Sequence, residues 1–437
     1  MASQTTEPAG GTPGLPVRTL EVEVVEGPDA GATKTAESEQ LTVGSAEGND
    51  LVLRDPTVSR YHLELERRHD GVLVVDHGST NGTLLDGARI ERATVRPGTV
   101  LRIGHTALRV GEGGRVTVEL LDDDDWAGLR GRTPTMRRLM ARVRRAAQSD
   151  TPVLLVGESG TGKELIARAL HDEGPRNGGP FVVVDCGSLS PSLVASELFG
   201  HEKGAFTGAD RRHEGAFERA HGGTLFLDEV GELPPTLQPT LLGALERRRF
   251  RRVGGRDEIE VDVRLVSATH RDLRAEVNDG RFRLDLYYRI AVVVLAVPPL
   301  RERAEDVPLL VEHFLREAGH DGPIDELVPP DAMTALSAHR WPGNVRELRN
   351  VVEAMVVMGE APSIDASVHT ASGPDDVIAR VLPQSYRDAR NTVLAEFERR
   401  YLERLMERAA GNVSRAAREA RMDRTYLIKL LGRHGLK

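Results

Sequence analysis

Residues 153–164 read VLLVGESGTGKE, and the helical run Leu165, Ile166, Ala169, Leu170 follows at once. Four apolar residues predict a buried strand, a glycine-rich loop turns the chain, and a helix begins. This is the G-x-x-x-x-G-K pattern in its strand–loop–helix setting. Gly157, Gly160 and Gly162 allow backbone N–H groups to converge on phosphate oxygens, with Glu158, Ser159 and Thr161 completing the loop. The helix N-terminus adds a favourable dipole, and Lys163 adds positive charge at the β/γ end. The general pattern wants Ser or Thr after the lysine to hold Mg²⁺, whereas this chain has Glu164. The expected ligands are ATP and Mg²⁺. A second apolar strand, Thr224 to Leu227, delivers Asp228 and Glu229. Asp228 suits Mg²⁺ held through the nucleotide, and Glu229 suits polarisation of the attacking water.

Around this loop, strands at Val153 to Val156, Phe181 to Val184, Thr224 to Leu227 and Val263 to Ser267 alternate with helical patterns, which predicts a parallel sheet. After Pro299 the pattern turns helical up to about Gly359. Ahead of the loop, Leu20 to Val25, Leu41 to Val43, His62 to Leu65, Val72 to Val75 and Val116 to Val118 are separated by Gly, Asp and Asn turns. That spacing predicts an all-β sandwich. The expected divisions are a disordered tail (1–16), a sandwich (17–118), an acidic linker (119–128), an α/β subdomain (129–300), a helical lid (301–360), a second linker (361–387) and a terminal helical domain (388–437).

Composition narrows the function classes. The chain has 437 residues, 39% hydrophobic and 29% charged, a balance that suits several folded domains rather than disorder. Its longest apolar run, Ile290 to Val297, is far short of the roughly 20 residues a membrane-spanning helix needs. No basic-then-apolar signal opens the sequence, and Cys186 is the single cysteine, so a cytoplasmic protein is expected, without membrane attachment, internal disulfide or multi-cysteine metal site. The net charge of −9 hides a gradient, from −10 over residues 1–125 to +5 over residues 411–437. A basic end fits nucleic acid, although a solvated surface helix can also be basic.

Between the two phosphate motifs lies ELFGHEKGAFTGAD, residues 197–210. Gly204, Ala205, Phe206, Thr207, Gly208 and Ala209 read either as a tight turn burying Phe206 or as a mobile loop presenting it to a partner. The combination of GESGTGKE, GAFTGA, GGTLFLDE (222–229), FRLDLYYR (282–289) and WPGNVRELRN (341–350) resembles the AAA+ domain of bacterial sigma-54-dependent activators, over roughly residues 129–360. The resemblance implies that Phe206 and Thr207 touch sigma-54. It also implies that Arg283 and Arg289 are arginine fingers reaching a neighbouring subunit's nucleotide, and that Arg346 is the sensor arginine of the lid. Glu164 is usual in that family. Two positions depart from it. Asp185 stands where an Asn usually pairs with the catalytic glutamate, and would repel Glu229 unless a proton, metal or arginine intervened. His270 stands where the first sensor is usually Asn.

At the tail, Leu394, Phe397, Tyr401, Leu402, Leu405, Met406 and Ala409 form one apolar face at helical spacing. After Gly411-Asn412 come a short helix, a turn, and a second helix carrying Arg424, Thr425, Tyr426, Lys429 and Arg433, with Leu427, Leu430 and Leu431 inward. Two short helices fit either a small bundle or a helix-turn-helix entering the major groove. GNVSRAAREARMDRTYLIKLLGRHGL resembles the Fis-type DNA-binding domain. At the front, LTVGS (41–45), NDLVLRDPTVSRYHLEL (49–65) and DHGSTNGTLLDGARI (76–90) resemble a forkhead-associated (FHA) domain, which binds phosphothreonine. Ser59, Arg60, Ser79, Thr80 and Asn81 then line its loop face, with His62 beside them, or else simply brace turns. Where that family has Gly-Arg, this chain has Gly44-Ser45, without a principal phosphate-binding arginine.

The expected function is ATP-driven activation of sigma-54 RNA polymerase from upstream DNA, by a ring, expected to be a hexamer, with input from a Ser/Thr kinase or phosphothreonine protein. Two alternatives stay open: a remodelling ATPase without promoter function, and a non-catalytic DNA-binding adaptor crippled by Asp185 and His270.

Overall fold

The computed structural model describes residues 14–36, 39–68, 70–187, 190–206, 208–320 and 322–359, together with 402, 405–406, 413, 415–416, 427 and 431. The chain divides into one unit up to Pro362 and a second from Ser363.

The first unit opens with two packed sheets, antiparallel throughout except where Leu51–Val52 pairs parallel with Gln40–Gly44. Strands Thr33–Thr35, Gly14–Glu26, Thr106–Glu119, Val100–Ile103, Thr83–Leu85 and Ala88–Ile90 lie in that order in one. The other runs Leu51–Val52, Gln40–Gly44, Leu63–Arg68, Gly71–Asp76 and Arg92–Val95. Leu20, Val22 and Val24 point inward and Glu21 outward, the period-two alternation of a half-buried strand. They meet Leu41, Val43, Leu63, Leu65, Val72 and Val74 of the facing sheet in one apolar core. The first strand begins at Gly14, inside the expected tail. The stretch expected as an acidic linker holds a hairpin, Asp125–Trp126 against Leu129–Arg130. Its turn works because Ala127 and Gly128 both take positive φ (50° and 79°), the twist a two-residue hairpin demands.

The centre of the same unit is a five-stranded parallel sheet, ordered Phe181–Asp185, Thr224–Asp228, Arg264–Thr269, Val153–Val156, Val293–Ala296. Apolar layers cover both faces, one with Leu154, Leu225 and Leu227, the other with Leu155, Phe226 and Val266. The strand ending at Thr269 lies between those that deliver the glycine loop and Asp228. All three carboxyl ends therefore open on one crevice, where open α/β sheets bind ligands. Helices Val307–Glu317, Pro330–Ala338 and Asn344–Met358 follow as the lid. Trp341, 1% exposed, anchors it by donating its indole N–H to the Leu336 carbonyl at 2.9 Å.

In the second unit, Leu402, Leu405, Ala416, Leu427 and Leu431 pack in one apolar cluster with Met406 and Val413. Leu427 is among the residues expected to face inward. Phe397, Tyr401 and the expected DNA-reading residues Arg424, Thr425, Tyr426, Lys429 and Arg433 lie outside the described residues. No helix among the described residues is long and apolar enough to cross a membrane.

Candidate functional site

The loop 157–162 needs its glycines for different reasons. Gly160 (φ 77°) and Gly162 (φ 103°) hold left-handed backbone, which a side chain resists. A Cβ on Gly160 would also lie 2.3 Å from the Gly343 carbonyl oxygen, so the lid presses directly on the loop. Lys163, buried at the first turn of helix Lys163–Asp172, donates to the loop carbonyls of Gly157 (2.8 Å) and Glu158 (3.1 Å). Glu164 is exposed on the same turn. Thr161 donates its hydroxyl proton to the Glu158 carbonyl.

The lid reaches the loop through four side chains, one of them the buried Arg303, which donates to the Thr161 carbonyl at 3.2 Å. Arg346 donates to the Ser159 hydroxyl at 3.1 Å. Asn344, fully buried and at φ 53°, donates to the Ser159 carbonyl and the Glu158 carboxylate. Arg301 grips Glu158 through two bonds (2.7 and 2.5 Å) and, with Asn344, holds that carboxyl below its usual range. Asn344 and Arg301 carry no recognisable signal within the loop motif itself. Only the fold brings them there.

Asp228 and Glu229 stand at the sheet edge facing the loop. Burial first, and then the Glu229 carboxylate beside it, push the Asp228 pKa up. A carboxylate so disfavoured as an anion is suited to a cation, and Lys163 Nζ stands 3.8 Å from Glu229. Lysine, left-handed loop and crowded carboxylates thus fit a nucleotide and its Mg²⁺. Glu229 itself has φ 50°, outside the strand conformation, so its side chain turns into the crevice. His270 meets it there, with Nδ1 at 2.7 Å and the main-chain N–H at 3.2 Å from one carboxylate oxygen. A carboxylate only accepts, so Nδ1 carries the proton. Asp185, the expected disturber of Glu229, accepts the Gly187 N–H at 2.8 Å.

Arg283 precedes helix Leu284–Ile290, exposed and paired with Asp285 (2.6 Å). Arg289, near the helix end, donates to the Leu245 carbonyl at 2.8 Å. The 204–209 loop closes on itself, Gly204 N–H donating to the Ala209 carbonyl and Ala209 N–H to that of Phe206. Phe206 is half-buried, edge-on to His201 with centroids 4.9 Å apart, and Gly208 takes φ 97°. Ala205 is half-buried too, and Thr207 lies outside the described residues. Beneath this loop, Arg252 joins Glu202 (2.8 Å) and Glu218, and the two carboxylates raise its pKa. Sequence reading missed this triad because its members lie in three separate segments.

On the sandwich, Ser59 Oγ accepts the Thr80 N–H (3.0 Å) and Asn81 donates to the Thr57 carbonyl (2.8 Å), while Thr80 and Asn81 stay exposed. Ser79 is buried, its hydroxyl spent on Asp76 at 2.6 Å. His62 is buried, which pushes its pKa down, and it bridges the Ser59 N–H and the Gly82 carbonyl. Arg60 donates to the carbonyls of Val277 and Asn278 in the ATPase.

A glycine-loop ATPase with a helical lid, a sandwich before it and a helical tail behind it defines an AAA+ regulatory protein. Family models match accordingly: a sigma-54 interaction domain over residues 129–296, an AAA+ ATPase lid domain over 301–369, and a bacterial regulatory protein of the Fis family over 393–431. Residues 23–114 match the cytoplasmic domain of an inner membrane component of the type III secretion system. The transcriptional regulatory protein GlrR of Escherichia coli K12 is 48% identical over 307 residues, spanning 70% of this chain and 67% of that protein. The transcriptional regulatory protein ZraR of the same organism is 45% identical over 315 residues, or 70% and 68%. The solved structure of NtrX from Brucella abortus in complex with ADP superposes with TM-score 0.51 at 36% identity, covering 71% of this chain and 70% of that one. The chain belongs to the sigma-54-dependent transcriptional activators, with a β-sandwich ahead of the AAA+ module. Its central module binds nucleotide, and its partners are sigma-54 and DNA.

Proposed function

We propose that this chain hydrolyses ATP to remodel a closed promoter complex of sigma-54 RNA polymerase while its tail holds upstream DNA. The supporting observation is the meeting of Lys163, Asp228, Glu229 and His270 at three adjacent carboxyl ends of one parallel sheet. Lys163 exchanges its two loop carbonyls for the terminal phosphate oxygens, and the loop N–H groups cradle the remainder. Asp228 holds Mg²⁺, which neutralises phosphate charge when bound. Glu229, oriented by His270, accepts a proton from the attacking water. Arg346 reports on the phosphates from the lid. Arg283 and Arg289 complete the site of a neighbouring subunit, so the working form is a ring, a hexamer in this reading.

Phe206 and Thr207 carry the resulting motion to sigma-54 through the 204–209 loop. Arg424, Thr425, Tyr426, Lys429 and Arg433 face the major groove, in the terminal domain 388–437, and the protein acts in the cytoplasm. Phosphate release by the full chain with its DNA tests the engine. Hydrolysis abolished by Lys163→Ala and Glu229→Gln supports it; no release from wild type at high protein concentration overturns it in favour of a non-catalytic adaptor.

A further inference from the structure

The sandwich loops that carry Arg60 and His77 meet the helix Leu273–Asn278 of the ATPase. Arg60 donates to the carbonyls of Val277 and Asn278 at that helix's end. Asn278 answers with its amide, donating to the carbonyls of Tyr61 (2.6 Å) and His77 (2.9 Å) and accepting the Tyr61 N–H (3.3 Å). One side chain thereby satisfies three main-chain groups of the sandwich. His77 donates to Asp272 at 2.6 Å, and Arg274 pairs with Glu64 while its Nε donates to the Tyr287 hydroxyl. Tyr61, 2% exposed, packs edge-on against Tyr287 at 5.2 Å and, with Ala46, joins the apolar cluster of the ATPase. Gly48 N–H donates to the Tyr288 hydroxyl at 3.1 Å. At these loops the hydrogen-bonding partners fall between residues 272 and 288, the segment that also carries Arg283, while Glu39–Arg138 and Arg68–Glu302 tie the sandwich to the ATPase elsewhere.

The Val277 and Asn278 carbonyls lie where a helix leaves its acceptors short of partners, so they present partial negative charge to a guanidinium. Phosphate oxygens present the same chemistry more strongly. Among Ser59, Arg60, Ser79, Thr80 and Asn81, Arg60 is the only cation, and Ser45 adds none. Its main chain is pinned: Asn49 Nδ2 donates to the Arg60 carbonyl at 2.8 Å, and a Cβ on Gly44 would lie 2.1 Å from that oxygen. Both bonds to the helix end come from Nη2, so a phosphate that engages this same nitrogen must displace the helix end. Thr80 and Asn81 stay exposed beside it, so the face is half covered.

We propose that this loop face has two mutually exclusive ligands, the ATPase's own helix end and a phosphothreonine peptide. Binding of the peptide takes Arg60 from Val277 and Asn278 and releases segment 272–288 from the sandwich, so that the segment carrying the exposed Arg283 can shift against a neighbouring subunit. The proposal rests on the phosphopeptide reading of the sandwich, not on hydrolysis. Docking that occupies about nine-tenths of the molecules would weaken apparent peptide affinity about tenfold.

The test uses the full chain with matched libraries of phosphothreonine and unmodified threonine peptides. Asn278→Ala combined with Gly48→Leu opens the contact, since any Cβ at Gly48 already comes within 2.4 Å of the Tyr288 ring. The expected result is phosphate-selective binding about tenfold tighter than wild type, lost in Arg60→Ala. In wild type, the phosphorylated library should speed amide exchange across 272–278 while the unmodified library does not. Equal affinity of wild type and the opened variant, or unchanged exchange on peptide binding, overturns the competition. No phosphate selectivity in either protein overturns the peptide as ligand, while phosphate release, measured on the same samples, tests the engine separately.

Discussion

His270 holds Glu229 from two sides, through its ring Nδ1–H at 2.7 Å and its main-chain N–H at 3.2 Å, both on the same carboxylate oxygen. The strand Arg264–Thr269 sets the backbone donor and the side chain supplies the second. A histidine at this position therefore orients the carboxylate in the absence of an Asn at 185.

Hydrolysis should divide by residue. Lys163→Ala should lose nucleotide binding, and Glu229→Gln should bind nucleotide and barely turn over. His270→Ala should lower kcat about tenfold with little change in KM, less than the roughly 100-fold or more that a positioned base itself contributes, because Glu229 remains. A nucleotide-binding titration separates Lys163→Ala from Glu229→Gln, steady-state phosphate release with titrated ATP measures turnover in all three, and wild-type turnover in His270→Ala would remove its positioning role.

Loop function should separate from hydrolysis. Thr207→Ala should keep phosphate release and lose sigma-54 contact and transcription. Arg252→Ala leaves Glu218 and the partly exposed Glu202 without their shared cation, a loss of about 1–2 kcal/mol, between the exposed and buried limits. Thermal unfolding should register it, and an unchanged midpoint would reject the triad as the loop's support.

The docked sandwich should respond to alkali. Asp272 and Glu64 raise the His77 pKa to about 9 against burial and the nearby Arg274. A raised pKa means that docking gains fully from this proton below the free histidine value of about 6.5 and loses the gain as pH rises to about 9. Asp272, Glu64 and Arg274 keep their charges throughout that window. Protection of the Tyr61 and Gly48 amides, measured relative to base-catalysed exchange of the unstructured chain, should fall over it in wild type, and His77→Gln should abolish that fall.

DNA binding should weaken in Lys429→Ala and Arg433→Ala, each lowering the salt slope by about 1 where it meets phosphate. A chain ending near residue 385 that still footprints the same site would contradict the tail's role.

Local chemistry made much of this protein legible. Glycines at 157, 160 and 162 before Lys163, and two carboxylates ending an apolar strand, express constraints that act within a few residues. Alternation in residues 20–24 and the parallel-sheet pattern are equally local, because side-chain period follows backbone geometry. The hairpin at 125–130 is not legible in the sequence because its strands are two residues each, the first opening on the acidic run 122–125, and its turn depends on positive φ at Ala127, which composition does not reveal. Tertiary structure alone decided that Asp185 turns to Gly187 while His270 takes Glu229, since strand order sets which side chains share the crevice. It also decided that Arg60 meets Val277 and Asn278, more than 200 residues away. Contacts of that separation depend on how whole domains pack, and no periodicity in the chain encodes them.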